Sequence, residues 1–341
     1  MAEALPPKIA AETSPNTSSG ASPNSAKTTA HTLPTAPKTH VVRVPFLGGE
    51  IAFGTGAVAL IAGPCAIESR EVLDVAARGV KAAGACFLRG GIYKMRTSRN
   101  SFQGLGESAL DFVNETKRAT AMPLVSEITD PRQIDDLIGN VEMFQVGSRN
   151  MYNYELLKEL GNLRKPVLLK RAFAATVDEW LKAADYIVKG GNDGVLLCER
   201  GIRTFETTTR NTLDLNSVAY LKAYSSFPVI VDPSHGTGRP ELIRPMSLAA
   251  VAAGADGLII EVHPRPIEAL SDAHQALSFA QFQEIADGVR RIAAALGRGL
   301  VPAVQKWKFA HESRRRHSSD RTTNAHAVTH ADGSGRATNN I

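Results

Sequence analysis

The 341-residue chain is long enough for one large domain or two ordinary ones, and its 43% apolar and 21% charged content excludes a disordered or fibrous protein. Its formal charge of +5 sits at the ends: residues 1–40 carry a net +1 and residues 301–341 a net +4, so the stretch between them is neutral and offers no broad field for nucleic acid. No run approaches the roughly 18 unbroken apolar residues of a membrane helix, and three cysteines without framework spacing (Cys65, Cys86, Cys198) favour a reducing, cytoplasmic compartment.

Residues 1–40 are dominated by Ala, Ser, Thr and Pro. They cannot bury enough apolar surface to offset their ordering entropy, so a disordered tail is expected there. The same stretch lacks the apolar run of a secretory signal and the arginines of a transit peptide. Residues 41–56, with Val41-Val42-Arg43-Val44 before a Gly-rich stretch, are expected to form a small hairpin at the bottom of the fold.

A strand-then-helix pattern then repeats eight times. Its apolar runs are Ala59–Gly63, Cys86–Arg89, Leu124–Ser126, Met143–Val146, Val167–Lys170, Gly194–Leu197, Val229–Val231 and Gly257–Ile260. Runs this short and this apolar suit parallel strands buried on both faces. Val177–Lys189 reads as an amphipathic helix opened by a capping box, Thr176 with Glu179. Asp130-Pro131 offers an N-cap and a first-turn proline, and Gly84, Gly161, Gly190 and Gly254 sit where helices are expected to stop.

The expected fold class is therefore α/β, a (β/α)8 TIM barrel over residues 41–300. A doubly wound open sheet is the runner-up, but Gly63-Pro64-Cys65-Ala66-Ile67-Glu68 replaces the glycine fingerprint it would carry after the first strand. Residues 301–341 are read as a second disordered tail. Arg314-Arg315-Arg316 and the scattered His311, His317, His326 and His330 lack the spacing of a metal site.

A barrel places its active site at the C-terminal ends of the strands. Those ends deliver, in order, Cys65; Arg89 with Lys94 and Arg96; Glu127; Arg149; Lys170-Arg171; Glu199-Arg200; Asp232 and His235; Glu261 and His263. Each alone has a plain explanation, since a single Arg after a strand is usually a surface ion-pair partner and a lone Cys a small buried hydrophobe. Together they form two sets. Arg89, Lys94, Arg149, Lys170 and Arg200 exceed what Glu127 and Glu199 can neutralise, which calls for a ligand of more than one negative charge, such as one with a carboxylate and a phosphate. Cys65, His235, Glu261 and Asp272 offer mixed S, N and O ligation, which suits a first-row divalent ion (Mn, Fe, Co or Zn).

The segments Gly63-Pro64-Cys65, Leu88-Arg89-Gly90-Gly91, Lys94-Met95-Arg96-Thr97-Ser98, Gly147-Ser148-Arg149-Asn150, Lys165-Pro166-Val167-Leu168-Leu169-Lys170-Arg171, Glu199-Arg200-Gly201-Ile202-Arg203-Thr204-Phe205-Glu206, Asp232-Pro233-Ser234-His235 and Glu261-Val262-His263-Pro264 resemble the short microbial 3-deoxy-D-arabino-heptulosonate 7-phosphate (DAHP) synthases. These are the members most similar to 3-deoxy-manno-octulosonate 8-phosphate synthase, and the resemblance runs from about residue 55 to 297.

It implies a metal-dependent, aldol-type condensation of phosphoenolpyruvate with erythrose 4-phosphate at the head of the shikimate pathway of aromatic amino acid biosynthesis, in a cytoplasmic homo-oligomer that binds neither nucleic acid nor membrane. Phosphoenolpyruvate would be held by Arg89, Lys94, Arg149, Lys170 and Arg200, and the aldose phosphate by Arg96, Thr97 and Ser98. The metal would sit on Cys65, His235, Glu261 and Asp272. Asp232 would lie near the reacting end of the aldose, and Lys94 would handle the proton because a desolvated Lys shifts its pKa readily.

The sequence departs from the family pattern at Met95 and Arg99, where Pro is usual, at Tyr152 for Gln and at Ala172 for Gly. These changes sit on the acceptor side, so an octulosonate-type or modified four-carbon aldose phosphate is the alternative substrate. A catalytically idle barrel that serves as a binding partner is the alternative from another class. No regulatory module is expected in the short, polar residues 1–40.

Overall fold

The computed structural model describes residues 37–304. Most of both expected tails therefore lies outside the described residues. The first pair of strands, β1 (Val42–Phe46) and β2 (Gly49–Phe53), forms the antiparallel hairpin. Leu47 and Gly48 between them both have positive φ (48° and 77°), the turn whose twist matches that of paired strands. Along β1, Val42, Val44 and Phe46 are buried while Arg43 and Pro45 face solvent, the two-residue period of a strand with one dry side.

Eight strands follow: β3 (Ala59–Gly63), β4 (Phe87–Arg89), β5 (Leu124–Ile128), β6 (Met143–Val146), β7 (Val167–Lys170), β8 (Val195–Glu199), β9 (Val229–Val231) and β10 (Gly257–Glu261). Every neighbouring pair is parallel, and β10 pairs back onto β3 to close the ring. Closure excludes the open doubly wound sheet. Three strands run past their expected ends, to Ile128, Glu199 and Glu261, so Glu127, Glu199 and Glu261 belong to the ladder itself.

The strands alternate their side chains between two cores. Ala59, Ile61, Phe87, Val125, Met143, Leu168, Leu196, Ile230 and Ile259 fill the barrel, and the buried face of the hairpin packs onto the same cluster from below. Leu60, Leu88, Phe144, Leu169, Leu197 and Ile260 point outward to the helices. Val301 and Val304 join the inner cluster, and the Val301 N–H donates to the carbonyl of Val58 at 3.0 Å. The folded region thus extends four residues past the expected boundary at 300, because these valines complete the seal beneath the barrel.

Between strands run α1 (Arg70–Ala82), α2 (Leu110–Thr120), α3 (Ile134–Ile138), α4 (Tyr154–Gly161), α5 (Val177–Lys189), α6 (Leu215–Tyr224), α7 (Pro233–Thr237) and α8 (Pro240–Ala252), with α9 (Phe279–Ala295) after the last strand. The Thr176–Glu179 capping box opens α5 as expected. Asp130 caps a short 3-10 turn that leads into α3 rather than a full helix. Gly84 and Gly254 turn the chain out of their helices, but after α5 the left-handed residue is Gly191, not Gly190. Gly161 ends α4 and Gly190 caps α5 as expected, and the two also form the point of closest approach between α4 and α5. Among the described residues, no helix is long and apolar enough to cross a membrane.

Candidate metal centre and anion pocket

The carboxyl ends of the strands open onto a cavity of about 280 Å³. Of the expected site residues, Lys94, Arg96, Thr97, Ser98, Arg149 and Lys170 line it. Arg200, His235 and Asp272 complete that lining. Cys65, Arg89, Asp232 and Glu261 lie buried beneath, at or just past the ends of β3, β4, β9 and β10. The ring geometry explains the gathering: β10 and β9 flank the same side as β3, so residues some 200 apart in sequence share one wall.

On that wall, the ligand atoms of Cys65, His235, Glu261 and Asp272 all lie within 4.8 Å of one another. Cys65 Sγ is 3.2 Å from Asp272 Oδ2, and His235 Nε2 is 3.6 Å from Asp272 Oδ2 and 3.8 Å from Glu261 Oε2. Two backbone features shape this wall. Gly63 has φ +148°, and a Cβ there would sit 2.3 Å from the carbonyl of Arg89, so only glycine lets the ends of β3 and β4 come this close. Asp272 itself adopts a left-handed backbone (φ 53°), a conformation aspartate tolerates better than most residues.

The donor set fits a first-row divalent ion. Glu261 Oε1 is buried and has no hydrogen-bond partner, an expensive arrangement unless something positive completes it. Burial, reinforced by Glu261, pushes the Cys65 thiol up, so a thiolate here requires a cation beside it. Burial alone would also raise the Asp272 carboxyl, but His235 and Arg210 hold it well below the ordinary carboxylate range. The other ring nitrogen of His235, Nδ1, lies 2.9 Å from Asp232 Oδ2, the outer carboxylate that commonly fixes a metal-binding imidazole.

The cations divide into two groups. Lys94 Nζ donates to Glu127 Oε2 at 2.8 Å and Lys170 Nζ to Asp232 Oδ2 at 2.6 Å. Arg89, Arg149 and Arg200 form no ion pair with any carboxylate among the described residues, and two guanidinium nitrogens of buried Arg89 have no partner at all. Burial brings the Arg200 guanidinium down to about 10, still cationic at neutral pH. The expected reason for giving Lys94 a proton-handling part needs correcting. Burial pulls its pKa down, but Cys65 and Glu127 outweigh burial and raise it above the usual lysine value, so the ammonium is the favoured form.

Three other expectations change. Arg171 turns away from the cavity to Glu199 (3.0 Å) and Asp214 (2.9 Å). Glu199 consequently neutralises Arg171 and none of the five cations of the mouth. His263 also faces away, with Nε2 3.4 Å from Glu68 Oε2. Among the departures from the family pattern, Met95 lines the cavity, while Tyr152 is exposed and does not.

Sequence reasoning missed several residues. Arg210 lines the cavity with Nη1 3.5 Å from Asp272 Oδ1, and the same nitrogen donates to Gln275 Oε1 at 2.7 Å. Gln275 in turn donates to Glu261 Oε2. Arg96 donates to Ser271 Oγ, which donates to Cys65 Sγ at 3.3 Å. Phe173 presents its ring to three arginines at the cavity edge. Arg210, Ser271 and Gln275 lie far from any strand end, the position that periodicity identifies, and Phe173, three residues past β7, carries no charge that would mark it.

Comparison with known proteins gives the same picture. The profile of the DAHP synthetase I family matches residues 26–296. A Thermotoga maritima protein, phospho-2-dehydro-3-deoxyheptonate aldolase, is 45% identical over 249 residues, covering 73% of this chain and 74% of the relative. The 2-dehydro-3-deoxyphosphooctonate aldolase of Desulfotalea psychrophila is 28% identical over 268 residues, covering 73% and 95%. The crystal structure of the Thermotoga maritima DAHP synthase superposes with a TM-score of 0.72 at 41% identity, covering 78% of this chain and 79% of that one. The closed barrel, the four-ligand wall and these matches make this chain an enzyme of the DAHP synthetase I family.

Proposed function

We propose that the enzyme condenses phosphoenolpyruvate with erythrose 4-phosphate and water to give 3-deoxy-D-arabino-heptulosonate 7-phosphate and inorganic phosphate, the entry to aromatic amino acid biosynthesis in the cytoplasm, working as a homo-oligomer. The observation that carries this reading is the juxtaposition of a Cys/His/Glu/Asp cluster with three arginines that no acid neutralises. An ordinary aldolase needs one phosphate pocket; this mouth has cations for two mutually repelling anions. Its similarity to the Thermotoga maritima enzyme supports the choice of a four-carbon acceptor.

Arg89, Lys94, Arg149, Lys170 and Arg200 bind the carboxylate and phosphate of the donor, and Arg96, Thr97 and Ser98 bind the phosphate of the acceptor. Holding both anions in one small cavity supplies proximity and offsets their repulsion. A divalent ion (Mn, Fe, Co or Zn) on Cys65, His235, Glu261 and Asp272 would supply Lewis acidity toward the aldehyde oxygen. As C3 of the enol bonds to the aldehyde carbon, that oxygen gains a proton, with Lys94 Nζ as its source. Water adds at C2 and its proton restores Lys94. The C2–O bond to phosphate then breaks, and the remaining C2 hydroxyl proton leaves with the phosphate as the ketone forms. Asp232, held between Lys170 and His235, lines up the two halves of the site. Burial would raise its carboxyl, but His235 and Lys170 keep it well below the ordinary range.

The deciding assay mixes purified protein, Mn and phosphoenolpyruvate with a panel of four- and five-carbon aldose phosphates and follows phosphate release and product mass. Release with erythrose 4-phosphate supports the reading; silence across the panel sinks it. Met95 in the cavity wall beside Arg96 favours one second reading, a modified four-carbon acceptor, which the same panel reveals by preference. Lys94→Met retaining normal turnover and pH dependence would remove Lys94 from proton transfer.

A further inference from the structure

We propose that Phe173 is a positioning residue: its ring holds Arg149 and Arg200 in place for the donor's phosphate while leaving their charge unneutralised. This inference rests on the donor reading above. Phe173 lies three residues beyond the end of β7, in the wall of the cavity. Its ring centroid is 4.7 Å from Cζ of Arg200, 5.3 Å from Cζ of Arg149 and 4.7 Å from Cζ of Arg203. These arginines come from the loops after β6 and β8, so one side chain from the loop between them serves both neighbours. The loop is itself pinned, since the Arg203 N–H donates to the Phe173 carbonyl at 2.7 Å.

Three guanidiniums around one point repel each other, and burial of Arg200 makes the repulsion harder to screen. A carboxylate would relieve it. It would also occupy the N–H edges and cancel the charge that a phosphate must meet. Arg171, one residue past Lys170, shows that outcome: Nη1 is taken by both Glu199 and Asp214, and the side chain contributes nothing to the cavity. An aromatic face attracts the cation through its ring quadrupole and leaves the donor edges of the guanidinium free. The ring therefore does for Arg149 and Arg200 what an acid does for Arg171, without taking them out of service.

A filler ring and an electrostatic one differ in a measurable way. Fluorination at position 173 (4-fluoro-, 3,5-difluoro-, then 3,4,5-trifluorophenylalanine) nearly preserves shape while draining the ring quadrupole. Affinity for phosphoenolpyruvate is measured by calorimetry on the full-length, metal-loaded enzyme without acceptor, with inorganic phosphate as a second probe. The expected result is a stepwise loss along the series for both probes, reaching about tenfold for Phe173→Leu. KM for the aldose phosphate and the melting temperature should stay put, and Phe173→Trp should restore binding. If Phe173→Leu does not fold, the fluorinated series still decides. Wild-type enzyme that binds the donor together with a flat series overturns the inference alone. Wild-type enzyme that fails to bind phosphoenolpyruvate overturns the donor reading, and this inference with it.

Discussion

The two ends of the barrel are built from opposite materials. Below, the hairpin residues Val42, Val44, Phe46, Ile51 and Phe53 and the late Val301 and Val304 press onto the inner strand residues, and charge stays at the margin, where Lys117 lies over the Phe46 ring and Lys81 donates to the Val304 carbonyl. Above, within two or three residues of where the same strands end, come Arg89, Lys170, Asp232 and Glu261, all nearly or fully buried. Burying charge is costly, and only part of the upper end repays that cost through ion pairs. The lower seal carries stability that the upper end can then forgo. The difference teaches that one eight-stranded scaffold separates folding from chemistry by the height at which a side chain sits.

This separation can be broken from either side. The largest expected effect is on stability: Phe53→Ala, at a fully buried ring under the barrel, should cost about 3–5 kcal/mol. Chemical denaturation would show it, with turnover per folded molecule unchanged; a comparable fall in turnover would mean that the ends are coupled. Next comes the opposite experiment. Cys65→Ala should reduce metal-dependent turnover by more than about a hundredfold, beyond what disturbing a ligand's support costs, and leave the apo melting temperature unmoved or raised. Full activity of that variant in a chelated sample would remove the metal from the reaction.

The smallest effect sharpens the boundary within the upper end. Gln275 lies on no strand but donates to Glu261 at the end of β10 and receives Arg210. Gln275→Leu should weaken binding of Mn by about ten- to a hundredfold, read by competition against a chelating dye. Unchanged Mn affinity would show that Glu261 is held by its own strand and does not need the amide.

The sequence was most informative where structure is periodic. Short apolar runs marked every strand of the ring, because parallel strands covered on both faces cannot alternate with polar residues. The strand ends therefore group their residues into one mouth in the sequence alone. The sequence was silent where the chain wanders. Gln275 lies 14 residues after Glu261, and Ser271 lies more than 200 after the Cys65 it contacts, in a loop closed at its base by the bridge between Val262 and Leu277. No spacing rule anticipates such contacts. Phe173 was hidden for a different reason: a phenylalanine after a strand reads as core, and only the convergence of three loops turns its face into a support for arginines. The orientation of Arg171 was equally illegible, since it depends on Asp214, in another loop.

One feature of the lower seal reaches beyond stability. The His40 N–H donates to the carbonyl of Ser226 ahead of β9, and Val304 packs against Gly49, so the described region starts and finishes on the face opposite the mouth. A linker run across that face would splice the two ends of the described region, and new termini could then be opened in the loops that lead from helices back to strands. Such circular permutants would leave the route for substrates clear. The described barrel can thus be held from behind.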